Sequence, residues 1–471
     1  MSVMLLLPIL LPSLTALIAS RRADKKLLIP LMVLELLLVV LCLFFPGDLR
    51  IPCLPGMPLL LRLDAVGKIF SVLFAVMFLL AGIFGFEYLH ERLNSYYVFY
   101  LLTLSAMLGL CYAGNLLTFY MFYEAMTLLS FPLVLHEGTE ESRRAAMKYL
   151  GYSLFGAALA LFGFFAVAKS TGGAVFTPGG ALNGPATPLL LAAALAMIVG
   201  FGGKAGMMPL HDWLPTAHPV APAPASAVLS GVITKGGVLG ILRTVYYLFG
   251  AEALRGTYVQ TTALILALAT VFTGSMLAYK EKVLKKRLAY STVSQVSYVV
   301  FGLLLLQPLG FAGAILQAVF HSVAKVCLFL CAGAFICKTG KTRVEQLDGI
   351  GRSMPLPLFC FAVTGLSLIG IPPFAGFVSK WYLALGSLAA FPALGWIGAA
   401  ILLVSALLTA GYLLSPVSKG FFPGEEFEYE RIPCGRCICL PLCALAAAAL
   451  LLGLFPAQLL SWLSGLTAGI L

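Results

Sequence analysis

Charge is what this sequence of 471 residues has least of: Asp, Glu, Lys and Arg make up 10% of it, against 61% hydrophobic residues. With a mean hydropathy of +1.01, the chain has far too little polar surface to cover a soluble globule of its length. A soluble fold is thereby excluded, and a polytopic helical membrane protein is the class that remains. Acids are scarcer than bases, 19 against 30, for a formal net charge of +11. The sequence also lacks a GxGxxG or P-loop phosphate cradle, a nucleophile elbow and a haem motif. No resident cofactor is expected, and no catalytic centre within the chain itself.

Cysteine is present but unpatterned. Eleven cysteines lie mostly in apolar segments, with no signal-peptide cleavage site before them, and they make no disulfide framework. The run CGRCICLPLC from Cys434 to Cys443 holds one CxxC unit and no second pair, which a zinc or cluster site would need. Reduced thiols or lipid attachment are the alternative readings there, and no metal is expected.

What is abundant is apolar sequence in membrane-sized lengths. Crossing roughly 30 Å of hydrocarbon takes about 20 apolar residues. Segments that meet this lie near 2 to 20, 27 to 45, 69 to 87, 96 to 113, 114 to 135, 146 to 168, 187 to 208, 223 to 249, 258 to 279, 288 to 306, 309 to 335, 355 to 385, 389 to 414 and 437 to 456. That makes about fourteen transmembrane helices, with the apolar tail to Leu471 at an interface. With the N-terminus outside, the cytoplasmic loops hold twenty basic residues and the outer loops five, Arg50, Arg62, Lys68, Lys169 and Arg255. A fourfold excess on one side is what the positive-inside rule expects. The basic balance is thus a topology signal, nucleic acid is not an expected partner, and both termini are expected outside.

Five cations are left over inside the apolar segments: Lys204, Lys235, Arg243, Lys325 and Lys380. Glu35 and Glu124 are the carboxylates in mid-segment. A charge in hydrocarbon costs at least about 2.5 kcal/mol even on lenient insertion scales, so it persists where it meets a partner or water and marks an ion pathway. Two of these lysines accompany helix breaks. Gly203 and Pro209 fall in the interruption beside Lys204, and Pro372 and Pro373 in the one ahead of Lys380. The breaks recur in the fourth member of two successive groups of five spans, so the groups must run through the membrane in opposite directions. An inverted repeat with discontinuous helices is a transporter build. The divisions expected are a three-helix segment at 1–95, repeats at 96–249 and 258–415, and a C-terminal helix and tail at 416–471. The repeats are read as proton-input and proton-output halves.

The chemistry of the buried set points to protons. Lysine gives up its proton readily when desolvated, whereas guanidinium does not. Glu124 has no basic residue nearer in sequence than Arg143, and Lys204 is its expected partner, either as a relay or as a static pair that locks two helices. Lys325 follows His321 by four residues, one helical turn, and a hand-off between them is expected. His211, Asp212 and His218 lie in a proline-rich loop whose histidine spacing matches no metal motif, so they are read as a proton-access route. Arg243 is expected to snorkel to the interface or hold a carbonyl.

Several stretches resemble a known family. FYEAMTLLSF around Glu124, FGGKAGMMPLHDWLPTAHPVAPAPASAVLSGVITKGGVLGILR, KKRLAYSTVSQVSYVVFGL, HSVAKVCLFLCAG and LSLIGIPPFAGFVSKWYLA together look like the antiporter-like, proton-translocating membrane subunits. These are shared by respiratory complex I, Mrp-type cation/proton antiporters and membrane-bound hydrogenase or formate hydrogenlyase complexes. The likeness covers most of residues 95 to 415. It implies fourteen helices with inverted five-helix repeats, a prokaryotic cell membrane, and partner membrane subunits, either homologous antiporter-like ones or small Mrp-type ones. It also implies transport roles for Glu124, Lys204, Lys235, His321, Lys325 and Lys380. Many complex I members have proline two residues after the lysine of the seventh span. Here Lys204 is followed by Ala-Gly-Met-Met and then Pro209, closer to the Mrp and hydrogenase-linked wording. The expected function is a proton-conducting subunit of a redox-driven ion pump. A sodium/proton antiporter subunit without electron transfer and a passive scaffold are the alternatives.

Overall fold

The computed structural model describes residues 2–45, 47–182, 184–423 and 429–470. Almost all of it is helical, because hydrocarbon leaves a backbone no hydrogen-bond partner but itself. Helices α1 (Leu7–Arg21) and α2 (Lys25–Cys42) are followed by an antiparallel hairpin of β1 (Asp48–Leu54) and β2 (Met57–Arg62). Its turn is Pro55-Gly56, with Gly56 at φ +73. The Arg62 guanidinium hydrogen-bonds Asp48 across the ladder and holds that carboxyl below the usual carboxylate range. Then come α3 (Ala65–Tyr88), α4 (Leu93–Cys111), α5 (Leu116–Leu135), α6 (Glu140–Thr171), α7 (Pro188–Ala205) and α8 (Trp213–Val220). Their starts carry side-chain caps that meet free amides: Asp64 accepts from Gly67 N, Asn115 from Thr118 N and Thr139 from Ser142 N.

The middle of the chain is a broken span with two wide turns. Helices α9 (Ala223–Val228) and α10 (Thr234–Leu242) alternate with π-helical segments Leu229–Ile233 and Arg243–Phe249. A four-residue α11 (Ala251–Leu254) leads to α12 (Tyr258–Lys280), α13 (Leu284–Leu304), α14 (Pro308–Thr339) and the short α15 (Ile350–Ser353). Helices α16 (Pro355–Ile369), α17 (Ala375–Ala390), α18 (Gly395–Phe421), α19 (Arg436–Leu454) and α20 (Ala457–Ile470) complete the series.

Eleven of the described helical stretches are long and apolar enough to cross a membrane. The other expected spans fall on α2, on α13 and on α16 with α17. Residues 223–249 are wholly enclosed and those of α14 nearly so, while only a third of α18 is buried. Leu403 and Leu407 on α18, one turn apart, are 63% and 66% exposed, a face suited to lipid rather than water.

Both expected breaks are present and built alike. Helix α7 ends on Gly206 at φ +88 and α16 on Gly370 at φ +91, a left-handed stop that glycine adopts without strain. Each break then holds a cis X-Pro bond, Met208-Pro209 and Pro372-Pro373. Gly203, expected in the first break, is instead helical. Its carbonyl accepts from the Trp213 indole at 2.9 Å, which ties α8 back to α7.

Candidate functional site: a buried series of basic groups

Helix α10 is brought against α7 by glycine. A Cβ on Gly237 would stand 2.4 Å from the Phe201 carbonyl oxygen and one on Gly240 would strike the Phe201 ring, so only this spacing lets the helices bearing Lys204 and Lys235 touch. On the far side, Gly231 accommodates α14, whose Ser322 donates to the Gly231 carbonyl at 2.6 Å. The π-helical turn before Lys235 is thus held against α14, and such turns recur at functional sites.

Lys204 is 1% exposed and sits in the last turn of α7. Its ammonium donates to Thr127 Oγ1 (2.9 Å), Tyr149 OH (2.8 Å) and Ser153 Oγ (3.0 Å), so three hydroxyls from α5 and α6 take all three protons. Tyr149 continues to Ser130 at 2.6 Å. Glu124 makes no ion pair with Lys204 among the described residues. It is half-buried, and Met121 and Leu128, three before and four after it, are 46% and 55% exposed. Glu124 therefore borders the outward face of α5, and Thr127, one turn on, is the residue that meets the lysine.

Lys235 is fully buried and meets the Ser230 carbonyl (3.1 Å) and His321 Nδ1 (2.5 Å). His321 is thereby joined to Lys235 rather than to Lys325. Lys325, also fully buried, donates to the Leu288 carbonyl at 2.8 Å, and the other imidazole nitrogen, His321 Nε2, has no partner among the described residues. The face of α14 continues one turn back to Gln317, which donates to Gln295 (2.9 Å) and accepts from Ser379 (2.6 Å). Ser379 adjoins Lys380, whose ammonium donates to the Leu368 and Ile369 carbonyls at 2.8 Å each. Those are the last carbonyls of α16, where the helix dipole favours a cation. Gln295, Gln317 and Ser379 do not stand out in the sequence. The spacing of Gln317, His321 and Lys325, four residues each, is the signal that exposes Gln317.

Asp212 pairs with Lys148 of α6, and that lysine also reaches Thr216 at 3.1 Å. His211 is partly buried with Nδ1 unpartnered among the described residues. His218 is fully buried, stacks on Phe329 at 4.7 Å and has no partner for either ring nitrogen among the described residues. Arg243 does not snorkel. It is 2% exposed, donates to Asp64 Oδ1 at 2.9 Å and also pairs with Oδ2, and lies 4.4 Å from the Tyr247 ring. Glu35 is 2% exposed, and among the described residues neither of its carboxyl oxygens is hydrogen-bonded. The eleven cysteines are free.

The family described as NADH:quinone oxidoreductase/Mrp antiporter, TM, matches residues 113–409. The chain is 32% identical to NADH-quinone oxidoreductase subunit N of Desulforudis audaxviator, over 85% of this chain and 83% of that one. It is 30% identical to a Na(+)/H(+) antiporter subunit of Alkalihalophilus pseudofirmus, over 82% of this chain and 79% of that one. The fold is that of a chain in the Mrp complex from Dietzia sp. DQ12-45-1b, with TM-score 0.88 and 24% identity over 100% and 98% of the two chains. A chain of respiratory complex I from Thermus thermophilus gives TM-score 0.86 and 24% identity, with 98% of each covered. Both are multisubunit membrane assemblies. A family profile that spans more than half of this multi-pass membrane protein, and a relative about a third identical along most of it, establish that the chain belongs to the NADH:quinone oxidoreductase/Mrp antiporter transmembrane family.

Proposed function

We propose that the chain is the proton-translocating, antiporter-like subunit of a redox-driven ion pump of the membrane-bound hydrogenase or complex I type. The observation that carries this reading is the enclosed series of basic groups: Lys204, Lys235 with His321, and Lys325 are each at most 1% exposed. Such groups persist in a membrane protein where an ion passes. Protons reach the series from the cytoplasmic side near His211, Asp212 and His218, dwell on Lys204 when Glu124 is close, and leave through His321 and Lys325 to Lys380. Lys204 donates to three hydroxyls and, among the described residues, to no carboxylate, so the pairing with Glu124 that this reading requires is one that forms and breaks during the cycle. Glu124 at the outward edge of α5 suits a carboxylate whose position a neighbouring subunit sets. Electron transfer belongs to other subunits.

The topology that goes with this is fourteen crossings, with both termini on the outer side of a prokaryotic cell membrane. The units are the three-helix segment 1–95, the input repeat 96–249, the output repeat 258–415 and the tail 416–471. The likeness to a Na(+)/H(+) antiporter subunit favours a second reading, in which the same series exchanges protons for sodium without electron transfer. Lys204→Ala tests both against a passive scaffold. Dye-reported proton uptake by proteoliposomes holding the assembled complex should be abolished, whether an electron donor or a sodium gradient drives it. Uptake at the parent rate would overturn the function, and the driving force that works separates the two readings.

A further inference from the structure

On the face that carries the basic loops, two cavities adjoin. The outer, of about 340 Å³, is lined by His90, Glu91, His136 and Glu137. The inner, of about 240 Å³, shares Tyr88 and Glu137 with it and ends on Lys285 and the backbone of Pro219 to Ala221. Two carboxylates and two imidazoles are gathered at this one mouth. Lys285, which the sequence places in a solvated loop, is 6% exposed. Its ammonium donates to the Pro219 carbonyl at 3.1 Å and the Ala221 carbonyl at 2.5 Å. Two of its three protons are committed to backbone, and the third has no acceptor among the described residues.

Directly before Pro219 stands His218, fully buried and without a hydrogen-bond partner on either ring nitrogen among the described residues. An orphaned buried imidazole is costly unless it serves a purpose. Ser226 holds the turn around it, donating to the His218 carbonyl at 3.0 Å and the Ala221 carbonyl at 3.2 Å. Lys285 is bonded to the carbonyl of the residue next to His218, the Phe329 ring on which His218 stacks lies one turn after Lys325 on α14, and Glu137 lines the same cavity as Lys285. The groups form one ordered series from the cavity mouth to the buried lysines.

We propose that these cavities are the proton-uptake mouth: Glu91, Glu137, His90 and His136 gather protons at the rim, and Lys285 and His218 carry them to Lys325. This rests on the proton-translocating reading and adds to it a second entry, which joins the exit limb at Lys325 beside the route that loads Lys204. Each step moves one proton and no electrons. The Glu137 carboxylate takes a proton from hydronium and releases it to the free amine of Lys285. The resulting ammonium passes its third proton to a ring nitrogen of His218, and the imidazolium passes a ring proton to the free amine of Lys325. Each donor returns to its starting form.

Two variants test it in proteoliposomes of the whole complex. Glu91→Gln with Glu137→Gln removes the rim carboxylates from exposed positions without disturbing the core. Charged clefts raise local ion concentration by roughly 10- to 1000-fold, so uptake should fall about tenfold and be restored by added imidazole buffer, which delivers protons in the rim's place. Lys285→Arg keeps the charge and the carbonyl contacts but holds its proton, so uptake should fall about as far as in the glutamine pair, without rescue by imidazole and with assembly intact. Parent-rate uptake by both variants overturns the mouth, as does a loss in the glutamine pair that imidazole does not restore. Should Lys285→Arg fail to assemble, the glutamine pair decides alone. Lys204→Ala in the same preparation separates the two readings. If it too pumps normally, the function has failed; if it is dead while the mouth variants pump, only the mouth has.

Discussion

Asp64 and Arg243 offer the most quantitative test, because one residue has two separable tasks. Its carboxylate pairs with a guanidinium that is 2% exposed, and the same oxygen that accepts from Arg243 Nη2 accepts from Gly67 N at 2.8 Å to cap α3. Asp64→Asn retains a good capping residue and removes the charge, leaving Arg243 without a counter-ion. Breaking a buried pair from one side costs about 3–5 kcal/mol. Asp64 is itself 21% exposed, beside a cavity of about 420 Å³, so water relieves part of that loss and the lower bound, about 3 kcal/mol, applies. Asp64→Ala loses the cap as well, about 1 kcal/mol more. At about 2 °C per kcal/mol for a large domain, the unfolding midpoint should drop by about 6 °C for asparagine and 8 °C for alanine. Fluorescence-detected size exclusion after graded heating in detergent reads both. The double variant Asp64→Asn with Arg243→Met should recover most of the loss, since an apolar replacement leaves no orphaned charge. An unchanged midpoint for Asp64→Ala, or a double variant no better than the single, would refute the argument.

Lys380→Arg keeps the cation on the Leu368 and Ile369 carbonyls yet does not release its proton. It should assemble normally and pump as poorly as Lys380→Ala in the dye assay, and near-normal pumping would leave the lysine only its capping role. At Gly237 a methyl group meets backbone, the Phe201 carbonyl and the Ala205 amide at 2.4 and 2.6 Å, which cannot yield as a flexible side chain would. Gly237→Ala should therefore cost about 1–3 kcal/mol by overpacking, seen as a lower midpoint in the same heating assay. An alanine variant as stable as the parent would mean that α7 and α10 do not approach this closely.

The buried cations are legible in the sequence because a lysine among leucines has no bland explanation. Their partners are less so. Lys235 and His321 meet across 86 positions, a separation no local spacing reveals, whereas His321 and Lys325 look paired because they share a face. Thr127, Tyr149 and Ser153 pass unremarked around Lys204 because hydroxyls are common in membrane helices and only their convergence is informative. Arg243 invites a reading from its place near a helix end, while Asp64, which settles it, lies 179 residues earlier. Lys285 reads as a loop residue, although the fold turns it inward. The breaks are visible from glycine and proline, but Gly206 rather than Gly203 supplies the left-handed stop. The Asp48–Arg62 hairpin escapes notice despite its Pro-Gly turn, since a short polar-edged stretch between spans invites no closer reading.

The complete enclosure of residues 223–249 bears on how the protein is made. That segment leaves the ribosome carrying Lys235 and Arg243 before α14 exists. At about 5–20 residues per second, the 86 residues from Lys235 to His321 take roughly 4–17 s to synthesise. Through that interval the lysine has the Ser230 carbonyl of its own wide turn but no imidazole. Arg243 is better provided, since Asp64 is already in place to receive it. Insertion of this segment is therefore stable only within the half-built bundle or in the shelter of the insertion machinery, and its release into lipid waits on α14.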